Sequence, residues 1–476
     1  MTSGRRKRGG NVRDVIAVAL PMVVSLSSDT MMTFTSRWFV SKLGSSSMNA
    51  VFAGGLAAFA VQTFFAGLIG YVTALVAQEF GAKRYDHCVL AAYQAILVAL
   101  AAWPFLLLFI PVSTQLFGHL GLPDSQLPEQ VRYFDILVLG SGLGLLRGAF
   151  SGFFSGLGRT RIVMVASLTS MLANVAFAYV FVFGKFGFPV LGTEGAALSH
   201  ILSGAVCVTI LGVTFLSKHG AKSFGFTVRF RFDRLLFVKL LRKGTPSGLE
   251  FFLNILAFQT IVFLFQRQGE VGATAATIVF NWDMVSFVPL VGVEIGVTSL
   301  VGRYYGARQF ANVRRSLRSG LRLGWAFSSI VFVAFVAFPE PLVDLFKGNP
   351  PTLAFVEGRS LAIDMIRIAS LYVGLEAVML VFSGALRGVG DTLFTMFAST
   401  GLHWFLVLVL YVTLEIMKMP PLIGWWIVVL VFFLFPLVLG LRWKRATWRN
   451  ASASASIQIP RGPVVPPEYH VDGVAQ

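Results

Sequence analysis

Apolar stretches recur twelve times along the chain, at approximately 14–40, 48–79, 88–111, 131–156, 161–184, 194–217, 238–267, 272–302, 311–338, 360–388, 392–416 and 421–441. Each reaches the ~20 residues that a helix rising about 1.5 Å per residue needs to cross about 30 Å of hydrocarbon. The pattern predicts an all-α polytopic membrane protein of twelve transmembrane helices. An even number of crossings places both termini on one side.

The pattern also repeats itself. Thr73-Ala-Leu-Val-Ala-Gln-Glu-Phe-Gly-Ala-Lys-Arg-Tyr85 returns 225 positions on as Thr298-Ser-Leu-Val-Gly-Arg-Tyr-Tyr-Gly-Ala-Arg-Gln-Phe310, and at that offset Pro21 meets Pro246, Gly44 meets Gly269 and Gly67 meets Gly292. Phe150-Ser-Gly-Phe-Phe-Ser-Gly-Leu-Gly-Arg-Thr160 returns 232 positions on as Phe382-Ser-Gly-Ala-Leu-Arg-Gly-Val-Gly-Asp-Thr392. Two homologous halves in an apolar chain suggest a transporter with a shared cavity near the membrane midplane. The expected organisation is a basic N-terminus (1–13), a six-helix bundle (14–217), a basic linker (218–237), a second six-helix bundle (238–441) and a disordered tail (442–476).

Composition sharpens the membrane assignment. With 56% hydrophobic and 13% charged residues, the chain has too little polar surface for a soluble enzyme of 476 residues. The net charge of +17 would suit a nucleic-acid binder, but its distribution argues otherwise. Arg5 to Arg8, Lys83 and Arg84, Arg159 and Arg161, Lys218 to Lys243, Arg303 to Arg322 and Arg442 to Arg445 all fall on the side of the termini; opposite loops carry single charges such as Lys42, Lys185, Lys347 and Lys418. That asymmetry assigns the basic side to the cytoplasm of a cell-membrane protein, with no nucleic-acid partner. Nothing at 1–14 resembles a cleaved signal peptide.

Other features read as architecture. Cys88 and Cys207 are too few for a disulfide framework or a cysteine-rich metal site, and both are expected to pack. The glycines of Gly152-Phe-Phe-Ser-Gly156-Leu-Gly158 and of its repeat, with Gly81 and Gly306, permit close helix approach; no Lys-Ser/Thr follows, as a phosphate loop requires. Pro21, Pro104, Pro246 and Pro289 lie inside spans, where each frees a carbonyl for a kink or a pathway. The segment 217–243 mixes phenylalanine with arginine and suits either the membrane surface or a plain basic linker. The polar, proline-rich stretch from Asn450 accounts for the expected tail.

Five blocks carry a family resemblance over roughly residues 14 to 441: Thr245-Pro-Ser-Gly-Leu-Glu250, Phe287-Val-Pro-Leu-Val-Gly292, Thr298-Ser-Leu-Val-Gly-Arg-Tyr-Tyr-Gly-Ala307, Ser383-Gly-Ala-Leu-Arg-Gly-Val-Gly-Asp-Thr392 and Gly192-Thr-Glu-Gly-Ala-Ala197. The chain resembles the multidrug and toxic compound extrusion (MATE) transporters of the multidrug/oligosaccharidyl-lipid/polysaccharide exporter superfamily. That resemblance implies a V-shaped pair of bundles related by a pseudo-twofold axis, exporting amphipathic organic cations by alternating access in exchange for inward protons or sodium ions. It implies no enzyme activity, no cofactor beyond the transported ion, and membrane lipid as surroundings. A monomer is expected.

A carboxylate in hydrocarbon needs a partner, a wet cavity or a proton, so acids inside spans are the candidate site. The second half carries Glu250, Asp283, Glu294 and Glu376, the first chiefly Asp29. Measured from the estimated span ends, Glu250, Glu294 and Glu376 lie at similar depth, roughly 10–18 Å from the basic side, and are expected to meet. By resemblance, Glu376 stands where the NorM-like branch has a cation-coupling aspartate, eight residues before Gly384. Glu250 ends a Pro-x-x-x-Glu motif, and Asn254 occupies the NorM-like glutamate position one turn on. Ser36 stands where the DinF-like branch has an aspartate, which leaves Asp29, seven residues earlier, as a partial substitute. The candidates for ion coupling are Glu376, Glu250, Asn254 and Glu294. Asp283, Asn281, Trp282, Asp29 and Ser36 are candidates for the substrate cavity, Asn281-Trp282-Asp283 offering an amide, an aromatic face and a charge to an organic cation.

The competing expectation is structural pairing of these acids with Arg37, Arg147 and Arg367, and of Arg132 with Asp135 and Asp364 with Arg367 at i, i+3. His403 is expected to pack. Two other functions stay open: a flippase of lipid-linked oligosaccharide, which would want an arginine-rich cavity, and a membrane-embedded transferase, for which no serine-histidine-acid or paired-histidine arrangement is present. Laid over the first half, Glu250 falls opposite Ser25, Glu294 opposite Ile69 and Glu376 opposite Gly144, so the scaffold is duplicated and the acids are not.

Overall fold

The computed structural model describes residues 9–118, 127–217, 231–347 and 353–445, with helices and no strand among them. Eleven spans are long and apolar enough to cross a membrane, and Leu127–Leu139 with Ser141–Gly156, meeting at a 42° bend, supplies a twelfth. We number them α1 (Val12–Ser41), α2 (Ser47–Gly81), α3 (Tyr85–Leu107), α4 (Leu127–Leu139 with Ser141–Gly156), α5 (Thr160–Phe183), α6 (Gly192–Leu216), α7 (Arg234–Gln266), α8 (Gly269–Gly306), α9 (Phe310–Ala337), α10 (Leu353–Val389), α11 (Thr392–Ile416) and α12 (Pro421–Arg445). Each predicted stretch falls on one of these spans. The chain is an integral multi-pass membrane protein.

Local chemistry sets the ends. The Asp14 carboxylate accepts the backbone N–H groups of Gly10 and Asn11 (2.7 and 3.1 Å) at the start of α1. Asp233 accepts the N–H of Leu236 (2.9 Å), so α7 begins at Arg234, inside the stretch expected to be linker. Gly184, at φ +64°, closes α5 in the left-handed conformation. Arg442, Lys444 and Arg445 fill the last turn of α12, where cations favour the helix dipole, and the helix runs past the 441 expected. The basic cluster at 5–8, the linker between 218 and 230, and the tail from 446 on lie outside the described residues.

On the side that carries the basic loops, here called the basic face, the repeat becomes geometry. The ends of α2 and α8 cross with Gly81 against the Arg303 carbonyl and Gly306 against the Gln78 carbonyl, so close that a Cβ on either glycine would overlap the opposing backbone. Those two contacts exchange under the 225-residue offset. Gln78 Nε2 donates to Gly388 O (2.9 Å), and the Arg303 guanidinium donates to Leu157 O, so each crossing helix caps a carbonyl in the glycine-rich helix end of the other half. Ser299 Oγ donates to Ser155 O (2.6 Å), and Lys239 Nζ reaches Glu79 Oε1 (2.9 Å). Higher in the membrane, Gly67 packs on Ser247 and Gly248 of α7, and Gly292 packs on Val23 of α1, which is the same crossing made twice.

The first helix of each half also starts in the core of the other. Val15, Val18 and Ala19 of α1 pack with second-half residues, and Leu236 and Leu240 of α7 pack with first-half residues. The halves are therefore joined along a seam of paired, equivalent contacts. Above it stand the spans that carry the acids.

Candidate functional site

The site is built where α7, α8 and α10 approach each other. Gly384 of α10 lies against Glu294 of α8, a Cβ there meeting Glu294 O at 2.7 Å, and Thr298 Oγ1 bridges the two helices through Glu294 O (2.9 Å) and Gly384 O (3.0 Å). That close packing sets the register. Arg387, one turn beyond Gly384, donates to Glu294 Oε1 (2.7 Å) and lies 3.5 Å from Glu250 Oε2 on α7. Both acids are buried, at 6% and 4% exposure. One guanidinium thus serves two carboxylates. Removing it would leave two buried charges facing each other, which costs of order 3–5 kcal/mol.

Glu376 does not join that group. It lies eleven residues before Arg387 on α10, and Asp283 eleven before Glu294 on α8, each roughly 16 Å along its helix. The two helices thus carry a second pair of acids in a separate layer, where Glu376 and Asp283 are within electrostatic reach of each other. Tyr372, one turn from Glu376, donates its hydroxyl to Asp283 Oδ1 (2.5 Å). Glu376 is 4% exposed, and its Oε2 is buried without a hydrogen-bond partner. The rings of Trp425 and Phe432 stand beside Tyr372. The expected meeting of Glu376 with Glu250 and Glu294 is thus replaced by two rungs, because Gly384 fixes α10 against α8 in a register that estimated span ends do not reveal.

The other second-half candidates divide. Asn254, on the same helix as Glu250, donates to Ser399 Oγ of α11 (2.9 Å), while its Oδ1 is buried and unbonded. Asn281 is exposed and returns its amide to Thr277 O of its own helix (2.8 Å). Trp282 donates its indole N–H to Leu342 O (3.1 Å), and its ring packs edge-on against Phe335 and Phe346. Successive residues point roughly 100° apart round a helix, so Trp282 and Asp283 serve different surfaces. His403 packs, its Nδ1 on Ser399 O (2.9 Å) and its ring on Phe435.

In the first half, Asp29 is paired. Arg147 Nη2 donates to both of its oxygens (2.6 and 2.8 Å) and to Ser167 Oγ (3.1 Å), which shares a hydrogen bond with Ser25 (2.7 Å). Ser36 Oγ reaches Asn174 Oδ1 at 3.5 Å, and Asn174 Nδ2 reaches Ser203 Oγ at 3.4 Å. Arg132 bonds Glu194 of α6 (2.8 Å) rather than Asp135, an inter-helix reach that the i, i+3 rule overlooks; Arg367 and Asp364 do pair, at 3.7 Å. Arg37 stacks over the Phe52 ring (4.6 Å). Cys88 and Cys207 are buried and free.

Arg387 and Tyr372 are the residues that sequence reasoning missed. Arg387 was visible as the arginine of the Gly-Ala-Leu-Arg-Gly block, which itself signals an intramembrane cation near acids. Tyr372 stands one turn before Glu376, the only sign it gave.

A family model described as MatE matches residues 21–180 and 246–412. A protein of Neisseria meningitidis serogroup B called probable multidrug resistance protein NorM is 27% identical over 395 residues, 83% of this chain and 85% of the relative. Its namesake in Thermotoga maritima is 25% identical over 385 residues, 80% and 81% of the two chains. Among solved structures, a transporter of the MOP superfamily from Pyrococcus furiosus superposes with a TM-score of 0.84 at 19% identity, covering 94% of this chain and 97% of that one. A multidrug resistance transporter described in an outward-facing conformation superposes with a TM-score of 0.82 at 20% identity, covering 95% and 99%.

Proposed function

The chain belongs to the MatE family, and from that premise we propose that it is a multidrug efflux transporter of the cell membrane, exchanging inward protons or sodium ions for outward amphipathic organic cations by alternating access, with both termini in the cytoplasm. One observation carries the coupling role: Glu376, buried beside Asp283, has a carboxylate oxygen with no protein partner. A buried carboxylate so placed takes a proton or a cation as its counter-charge.

The charge balance of the second half supports the same reading. Of four buried carboxylates, Glu250 and Glu294 share one guanidinium, that of Arg387, and Asp283 and Glu376 have no cationic partner among the described residues. An ion arriving from outside binds at the Asp283–Glu376 rung, and an organic cation competes for the same negative charge. Binding of one then displaces the other, which is the requirement for exchange. Arg387 holds Glu250 and Glu294 in place and sets how much negative charge remains for the cargo.

The flippase alternative needs arginines free to hold a pyrophosphate. Arg147 and Arg387 are both bonded to carboxylates and Arg37 stands by itself over the Phe52 ring, so the arginines do not gather as a pyrophosphate would need, which argues against it. The test is efflux of a fluorescent organic cation from vesicles under an imposed pH gradient and then an imposed sodium gradient. One gradient should drive efflux in the wild type and fail to do so in Glu376→Gln. Efflux unchanged by that substitution under both gradients would overturn the assignment.

A further inference from the structure

Of the eleven spans, α9 has the smallest share of its apolar stretch buried, so it presents the most of itself to lipid. Its outward face carries Arg314, Arg318 and Arg322, one turn apart and all exposed, followed by Trp325 at 52% exposure. None of the three arginines has a salt-bridge or hydrogen-bond partner among the described residues. Their neighbour Arg315 behaves differently, turning inward to Gly9 O (3.1 Å) and Asn312 (3.2 Å). Three carboxylates of the basic face are already taken: Asp14 by the Gly10 and Asn11 N–H groups, Glu79 by Arg84 and Lys239, Asp391 by Arg442.

The repeat supplies a control within the molecule. At the 225-residue offset the ladder positions are Val89, Tyr93 and Leu97 of α3. Val89 and Tyr93 are buried, Tyr93 against the Phe215 ring of α6 (5.7 Å between centroids). The same helix position is thus apolar and covered in one half, cationic and bare in the other. Ordinary packing of the scaffold does not call for arginine there.

Depth identifies the occupant. Fifteen residues, Leu323 to Ala337, follow Arg322, about 22 Å of helix against the ~30 Å of hydrocarbon in a bilayer. Measured from Ala337, Arg322 therefore stands about 8 Å inside the hydrocarbon, its side chain reaching back towards the headgroups, with Arg318 close to the edge and Arg314 beyond it. Trp325 packs beside Gly374 of α10, where a Cβ would come within 3.3 Å of the ring, and lies one turn deeper than Arg322. We propose that Arg314, Arg318 and Arg322 form a binding site for an anionic phospholipid headgroup on the lipid-facing side of α9. The guanidinium row grips the phosphate and polar head, and Trp325 lies along the upper acyl chain. This site needs only the membrane placement and is independent of the transport reading.

Native mass spectrometry of the full-length protein, titrated with palmitoyl-oleoyl phosphatidylglycerol and with the phosphatidylcholine of the same chains, tests it. The wild type should bind the anionic lipid in preference, and Arg314→Gln/Arg318→Gln/Arg322→Gln should lower that preference by at least about fivefold. Lys83→Gln/Arg161→Gln/Arg234→Gln, which removes the same charge from exposed positions elsewhere on the basic face, should leave it within about twofold. Equal losses in both triple variants would reduce the effect to surface charge and overturn the site, as would an unchanged preference. Displacement of the lipid by millimolar inorganic phosphate would overturn it in favour of a small-anion site. Should the triple variant not be recovered, Arg318→Gln alone should lower the preference about twofold, and no change there refutes the proposal.

Discussion

The two halves carry their charges in opposite ways. In the first, Glu79 is buried but held by Arg84 and Lys239, and Asp29 is bound by both oxygens to Arg147, those two side chains being 35% and 21% exposed. In the second, four acids are buried: Glu250 and Glu294 share Arg387, and in the separate Asp283–Glu376 pair one oxygen of Glu376 is bonded to nothing. A closed, one-to-one ion pair has no remaining charge to offer; an excess of carboxylates has. The difference teaches that a duplicated scaffold can pair its acids on one side and leave some without a cationic partner on the other.

The sharpest way to break that comparison is to neutralise one acid on each side. Glu376→Gln is expected to lower gradient-driven efflux at least about tenfold, and Asp29→Asn to lower it less than about threefold, both read as initial rates in vesicles at matched protein content. Equal losses would mean that both halves couple. Next comes the removal of each arginine. Arg387→Met leaves Glu250 and Glu294 buried without their cation and should cost about 3–5 kcal/mol, whereas Arg147→Met leaves a partly exposed Asp29 and should cost about 1–2 kcal/mol, compared by unfolding midpoints in one detergent.

The seam predicts the reverse, that equivalent changes act alike. Gly81→Ala and Gly306→Ala each drive a methyl group into the opposing carbonyl, and each should open the basic face to a similar extent, read as labelling of a cysteine placed at Ser299. The smallest difference lies within the seam itself. Arg303→Ala removes a charged donor and should weaken the closed seam by about 1.5–3 kcal/mol, and Gln78→Ala a neutral one by about 0.5–1.5 kcal/mol, measured as the shift in the same labelling equilibrium.

Most of the fold was legible because span length and apolar composition are local properties. α1 was expected at 14–40 and occupies Val12–Ser41; α8 was expected at 272–302 and occupies Gly269–Gly306. The duplicated glycines also announced a close approach, though not that Gly81 and Gly306 each approach the equivalent helix end of the other half. The acids were legible as candidates, since a carboxylate within a span is conspicuous, but their grouping was not. Whether Glu376 meets Glu294 or Asp283 depends on how α10 slides against α8, which Gly384 decides through a contact 90 residues away in sequence. Trp282 shows the same limit: its neighbour Asp283 suggested a cation site, and the ring is instead held by Leu342 O.

The crossing of α2 and α8 has a consequence for ancestry. Each half presents a donor, Gln78 or Arg303, and an acceptor, Leu157 or Gly388, and receives the complement from the other. A single half carrying one donor and one acceptor would satisfy both against a rotated copy of itself, which is the definition of an isologous dimer. Such an ancestor could assemble before the two copies were fused. In a homodimer every new acid appears twice, across the axis from itself. Fusion lifts that constraint, and Glu376, opposite Gly144, is a residue that only a fused chain can hold singly.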